Sequence, residues 1–164
     1  MKHDPVIDVL YRVKRGLAGY VSYLAACEMN ESFSEYILYE PTLRILSAQG
    51  WSVECEVICP GYQRQGSGDY KKIDFVAEKT GTLFAIEMKW LRNPRTNIAA
   101  DMEKLKNYMQ ANGQARGFLT VFGKKSHVEQ FHFGDHTLSE RGKAIYAEFG
   151  VTKYGCRNYE VLAD

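Results

Sequence analysis

Residues 73–90 read Ile73-Asp74-Phe75-Val76-Ala77-Glu78-Lys79-Thr80-Gly81-Thr82-Leu83-Phe84-Ala85-Ile86-Glu87-Met88-Lys89-Trp90. Two short apolar runs flank Thr80-Gly81, so the stretch predicts two strands joined by a tight turn. Asp74 interrupts the first run, and Glu87 and Lys89 interrupt the second. A charge inside an otherwise buried strand is costly unless something pairs with it. With Thr80 and Gly81 as the two central turn residues, Lys79 faces Thr82 and Asp74 lies opposite Glu87. Gly81 takes positive φ readily and Thr80 does not, so a one-residue bulge that shifts this register is the alternative. Glu87 and Lys89 are two apart and share a face, while Thr82, Phe84, Ile86, Met88 and Trp90 take the other, buried face.

Like charges opposite one another destabilise a sheet. A Mg²⁺ ion (or Mn²⁺) resolves this, because it accepts one or two protein carboxylates and keeps several waters. The lysine completes the logic by orienting or activating a water and balancing charge as a phosphate is attacked. A surface hairpin whose Asp, Glu and Lys form a cross-strand salt bridge is the competing account of the same charges.

Outward from the hairpin, the chain alternates helical and strand patterns. Asp4-Pro5 suits an N-cap and first helical position, and Val6, Val9, Leu10, Val13, Leu17, Val21 and Leu24 follow at helical spacing to about Cys27. Ser32-Phe33-Ser34-Glu35 has the capping-box arrangement and opens a second helix to about Ala48, ended by Gly50 and kinked near Pro41. Trp51, Val53, Cys55, Val57 and Cys59 alternate with Ser52, Glu54 and Glu56, a half-buried strand. Residues 60–70 are a Gly-rich loop carrying Gln63, Arg64 and Gln65. After the hairpin come a turn with Arg92 and Arg95, a helix at about 97–112, and a strand from Gly117 to Phe122. A helix near 137–149 and a last strand near 158–162 complete the reading, giving a single α/β domain with a central mixed sheet flanked by helices.

Composition narrows the class. The 164 residues suit one domain with a sizeable core, and 45% apolar and 25% charged content is ordinary for a soluble protein. No apolar run of about 18 residues is present, and Met1-Lys2-His3-Asp4-Pro5 lacks a signal-peptide pattern, so no membrane partner and a cytoplasmic location are expected. Cys27, Cys55, Cys59 and Cys156 form no C-x-x-C pair and are expected as small buried side chains. The net charge of +1 makes no case for nucleic acid. The stretch from Lys89 to Lys106 is locally basic, however, and a local patch steers a polyanion even when the whole chain is neutral.

The acid at Asp74 and the Glu87-Met88-Lys89 triplet resemble the PD-(D/E)xK nuclease superfamily, with its restriction-endonuclease-like α-β-β-β-α-β core. The resemblance runs from about Glu35 to Phe122, roughly half the chain. It departs at Ile73, where the superfamily's motif has proline. It implies a core over 32–122 between an N-terminal helical extension (1–31) and a C-terminal extension (123–164). It also implies Asp74 and Glu87 as metal ligands and Lys89 as the catalytic lysine. Many members add a glutamate on the first core helix. Glu40, among apolar neighbours, is favoured here over Glu35, which the capping box already uses.

The function so implied is a Mg²⁺-dependent nuclease acting on DNA, with Glu40, Asp74 and Glu87 on the metal. Arg64, Arg92, Arg95 and Lys104 are candidates for nucleic-acid contact, although Asp101 and Lys104 also suit an i,i+3 surface pair. Tyr62, Tyr70 and Trp90 lie near the proposed site and are candidates to stack bases, with core packing the competing account. A homodimer is the simplest way for a domain of this size to cut both strands of a duplex. The alternative is a nuclease-fold protein without turnover, serving as a nucleic-acid-binding or protein-interaction module.

Overall fold

Asp4 begins the first helix as expected, its carboxylate accepting from the backbone N–H groups of Val6 and Ile7. The computed structural model describes residues 4–29, 34–62, 70–134, 136–149 and 151–162. Helix α1 spans Pro5–Ala26. A 3-10 turn over Glu35–Leu38 leads into α2, Tyr39–Ala48. Pro41 therefore falls in the first turn of α2, where a missing N–H costs nothing, and marks a helix start rather than a kink.

Strands β1 (Ser52–Ile58), β2 (Lys72–Lys79) and β3 (Thr82–Leu91) form an antiparallel meander. Helix α3, Ala99–Ala111, then crosses over to β4, Arg116–Lys124, which runs parallel to β3. After the short α4 (Lys125–Glu129) come β5 (Leu138–Glu140), β6 (Ile145–Phe149) and β7 (Thr152–Val161). The sheet order is β1-β2-β3-β4-β7-β5, with β6 also on β7. The chain is thus a mixed α/β domain with seven strands and four α-helices among the described residues.

The turn chemistry explains the hairpin register. Thr80 (φ 49°) and Gly81 (φ 79°) both take the left-handed region that a two-residue type I′ turn needs. Pairing accordingly starts at Lys79–Thr82 and runs without a bulge to Phe75–Ile86. On β3, Phe84, Ile86 and Met88 face the α1–α2 layer, where Trp51 and Phe118 pack edge-on against Phe84. The opposite face, with Ala85, Leu119 and Val121, is covered by Met102, Leu105 and Tyr108 of α3.

The expected helix near 137–149 is replaced by β5 and β6. Its backbone carbonyls serve another purpose. Lys14, wholly buried on α1, donates to the carbonyls of Arg141 (3.2 Å) and Lys143 (2.6 Å). Gly142, at φ 71°, makes the bend that turns both oxygens toward the ammonium, and a helix cannot contain it. The cysteine expectation is corrected in part, since Cys59 and Cys156 are buried but Cys27 and Cys55 are exposed. No helix among the described residues is long and apolar enough to cross a membrane.

Candidate functional site

Where β2 and β3 leave the hairpin ladder, the Asp74 side chain takes over its hydrogen bonding. Asp74 Oδ2 accepts from Met88 N–H at 2.7 Å, and Asp74 N–H donates to Glu87 Oε1 at 3.4 Å. The two carboxylates are neighbours, as the sequence register requires. They line a pocket of about 250 Å³ bounded by the 3-10 turn, the start of α2, the first three strands and α3.

Each acid has a protein donor. The Tyr39 hydroxyl, at the start of α2, donates to Asp74 Oδ1, and its ring packs on Phe75 at 4.9 Å. Lys104 Nζ of α3 stands 2.5 Å from Glu87 Oε2 and 3.0 Å from the Lys72 carbonyl. Lys89 pairs with Asp101 Oδ2 at 2.9 Å and lies 3.8 Å from Glu35 Oε1. The expectation that Asp101 and Lys104 form a surface pair is corrected, because Asp101 is buried and both side chains turn into the pocket.

Of the two helix glutamates, the structure brings Glu35 and not Glu40 to the pocket. Glu40 points to solvent and pairs with Arg44 one turn on, away from the pocket. Glu35 lines the pocket and accepts from Trp90 N–H at 3.1 Å. A 3-10 turn advances three residues per turn, so a continuous 3.6-residue period through Pro41 misplaces this face. Ser32 of the expected capping box lies outside the described residues, and the described Glu35 carboxylate serves β3 instead.

Glu56 falls by alternation on the polar face of β1 with Ser52 and Glu54. It takes φ 55°, a strained value for a non-glycine residue, between the pairs Cys55–Phe75 and Val57–Ile73. Its carboxylate there reaches the Tyr39 hydroxyl (3.3 Å) and Lys72 Nζ (3.8 Å). Tyr36, Tyr39 and Glu56 are pocket residues that alternation and helical spacing did not single out.

The basic candidates separate. Arg64 lies outside the described residues. Arg92 and Arg95 are exposed on the turn after β3 and do not line the pocket, and Arg95 instead borders a second cavity with His132 and His136. Lys104 is in the site, held by Glu87. Trp90 is half-buried against Phe122, whereas Tyr70 stands exposed at the pocket rim.

Burial dominates the electrostatics of the two acids. Burial and the neighbouring Asp74 charge push the Glu87 carboxyl up to about 9, even with Lys104 against it. Burial also raises Asp74, against the opposing pull of Met88 N–H, Tyr39 and Lys104. For Lys89, burial works to lower the pKa, but Asp101 and Glu35 prevail and hold it above the ordinary value. Among the described residues no three His, Cys, Asp or Glu side chains form a ready metal cage. Even so, two adjoining buried carboxylates fit a hard divalent ion that takes one or two protein oxygens and keeps its waters. No family of known proteins, no curated protein and no solved structure matches this chain.

Proposed function

We propose that the protein is a Mg²⁺-dependent nuclease that hydrolyses phosphodiester bonds in DNA. The observation that carries the reading is the meeting of Asp74 and Glu87 in one pocket, where burial and the Asp74 charge push Glu87 up to about 9. The order helix, three antiparallel strands, helix and parallel strand supports it, because a restriction-endonuclease-like core has that order.

Asp74 and Glu87 would hold the ion, at the oxygens that Tyr39 and Lys104 now meet. When bound, Mg²⁺ supplies Lewis-acid stabilisation of charge developing on a phosphate. Lys89 stays protonated at neutral pH, so it acts as a hydrogen-bond donor to the phosphate region rather than as a base. Asp101 and Glu35 aim its ammonium, and the Glu35 bond to Trp90 N–H keeps that support in place.

A second reading, a nucleic-acid-binding or assembly module without turnover, is favoured by the protein donors already seated on both acids. Calorimetric titration with Mn²⁺ separates the two. The nuclease reading expects binding by the wild type that Asp74→Ala abolishes. No heat of binding in the wild type would sink it.

A further inference from the structure

The mouth of the pocket is aromatic. Tyr36, on the 3-10 turn, is 73% exposed, and Tyr70, just ahead of β2, is 43% exposed. Both line the pocket that holds Asp74 and Glu87. The Tyr36 ring meets the Tyr39 ring at 5.5 Å, and the Tyr39 hydroxyl reaches Asp74. Aromatic contacts therefore run continuously from solvent to the acid pair.

The charges around this mouth do not suit a polyanion held by its backbone. Five carboxylates but only two lysines line the pocket, and both lysines already have partners. Backbone binding to nucleic acid depends on cations that neutralise phosphates, so here the grip must come from elsewhere. Exposed tyrosine rings supply one, since a base stacks on an aromatic side chain irrespective of sequence. A duplex keeps its base faces inside its own stack, and only an unpaired base offers one to a ring.

We infer that the pocket takes single-stranded nucleic acid, with bases stacked on Tyr36 and Tyr70 and a phosphate brought over Asp74 and Glu87. The inference rests on the nuclease reading for the direction of the phosphate, but its binding test is separate. A fluorescein-labelled single-stranded 20-mer deoxynucleotide and its duplex are titrated with the full chain in Ca²⁺, read by anisotropy, and both are then incubated with Mg²⁺ or Mn²⁺.

The single strand should bind at least ~10-fold more tightly than the duplex. Tyr36→Ala and Tyr70→Ala should each weaken it by ~5- to 150-fold, the range expected for one stacked base. Tyr36→Phe and Tyr70→Phe should stay within ~2-fold of wild type, which separates ring stacking from any role of the hydroxyl. Duplex binding as tight as single-strand binding, or alanine variants that bind like wild type, would overturn the inference while leaving metal-dependent cleavage to speak for the nuclease reading. Tyrosine-dependent single-strand binding without hydrolysis in either metal would uphold the stacking mouth and remove the nuclease.

Discussion

Lys104 Nζ, on α3, stands 2.5 Å from Glu87 Oε2, on β3, and the Glu87 side chain is only 1% exposed. Removing one partner of a buried pair leaves the other charge without compensation. Lys104→Met is therefore expected to cost ~2–3 kcal/mol at pH 10, above the Glu87 value of about 9, in chelator, read from urea unfolding. The cost should shrink at pH 7, where the Glu87 carboxyl already holds its proton. An equal loss at both pH values would mean that Lys104 serves packing alone.

Glu87 also sets a pH dependence. Its folded pKa, about 9, lies above the ordinary 4.5, so the folded state binds more protons than the unfolded state between these values. Stability of the metal-free protein should therefore fall as pH rises through that window. Glu87→Gln should flatten the slope in urea melts from pH 5 to pH 9. A slope unchanged by the substitution would place its origin elsewhere.

The two helix glutamates should behave oppositely. Glu40 and Arg44 are an exposed i,i+4 pair, so Glu40→Ala should change stability by less than ~0.5 kcal/mol and leave cleavage intact. Glu35→Gln weakens the support of Lys89 and should slow cleavage ~10- to 100-fold at unchanged fold, since misplacing a positioned group costs on that order. Steady-state rates on one oligonucleotide check both, and the reverse ranking would restore Glu40 to the site.

The hairpin was legible because its information is local: alternation sets the faces, and a glycine in the second turn position sets the register from Lys79–Thr82 onward. Asp74, Glu87 and Lys89 could be named for that reason. Lys104 reaches Glu87 only through the β3–α3–β4 crossover, and no spacing rule encodes that approach. The position of Glu35 at the pocket is not legible in the spacing, because a 3-10 turn rotates side chains differently from the α-helix that the apolar pattern suggests. Residues 137–149 carry good helix formers, but pairing with β7 and the carbonyls given to Lys14 override that preference.

A separate ionic clasp ties the start of α1 to β4 and β7. Arg116 donates to Asp4 at 3.0 and 2.9 Å and to Glu160 at 2.7 and 3.1 Å, and Arg141 also donates to Glu160. Burial alone raises both acids, but Ile7 N–H and Arg116 lower Asp4, and Arg116 and Arg141 lower Glu160, with a net depression in each. The unfolded state then binds more protons at acid pH, so this stabilisation is present above the ordinary carboxylate values and lost as pH falls below them. Arg116→Met should cost ~2 kcal/mol at pH 7 and distinctly less at pH 3. Equal urea midpoint shifts at both pH values would contradict the clasp.

The central claim is metal-dependent hydrolysis at Asp74, Glu87 and Lys89. Its most direct measurement incubates purified wild type, Asp74→Ala and Lys89→Ala with labelled linear, circular, branched and single-stranded DNA in Mg²⁺ or Mn²⁺. The account predicts cleavage of at least one form by the wild type, none in chelator, and loss with either substitution. Cleavage that survives both substitutions, or none by the wild type in either metal, would contradict it.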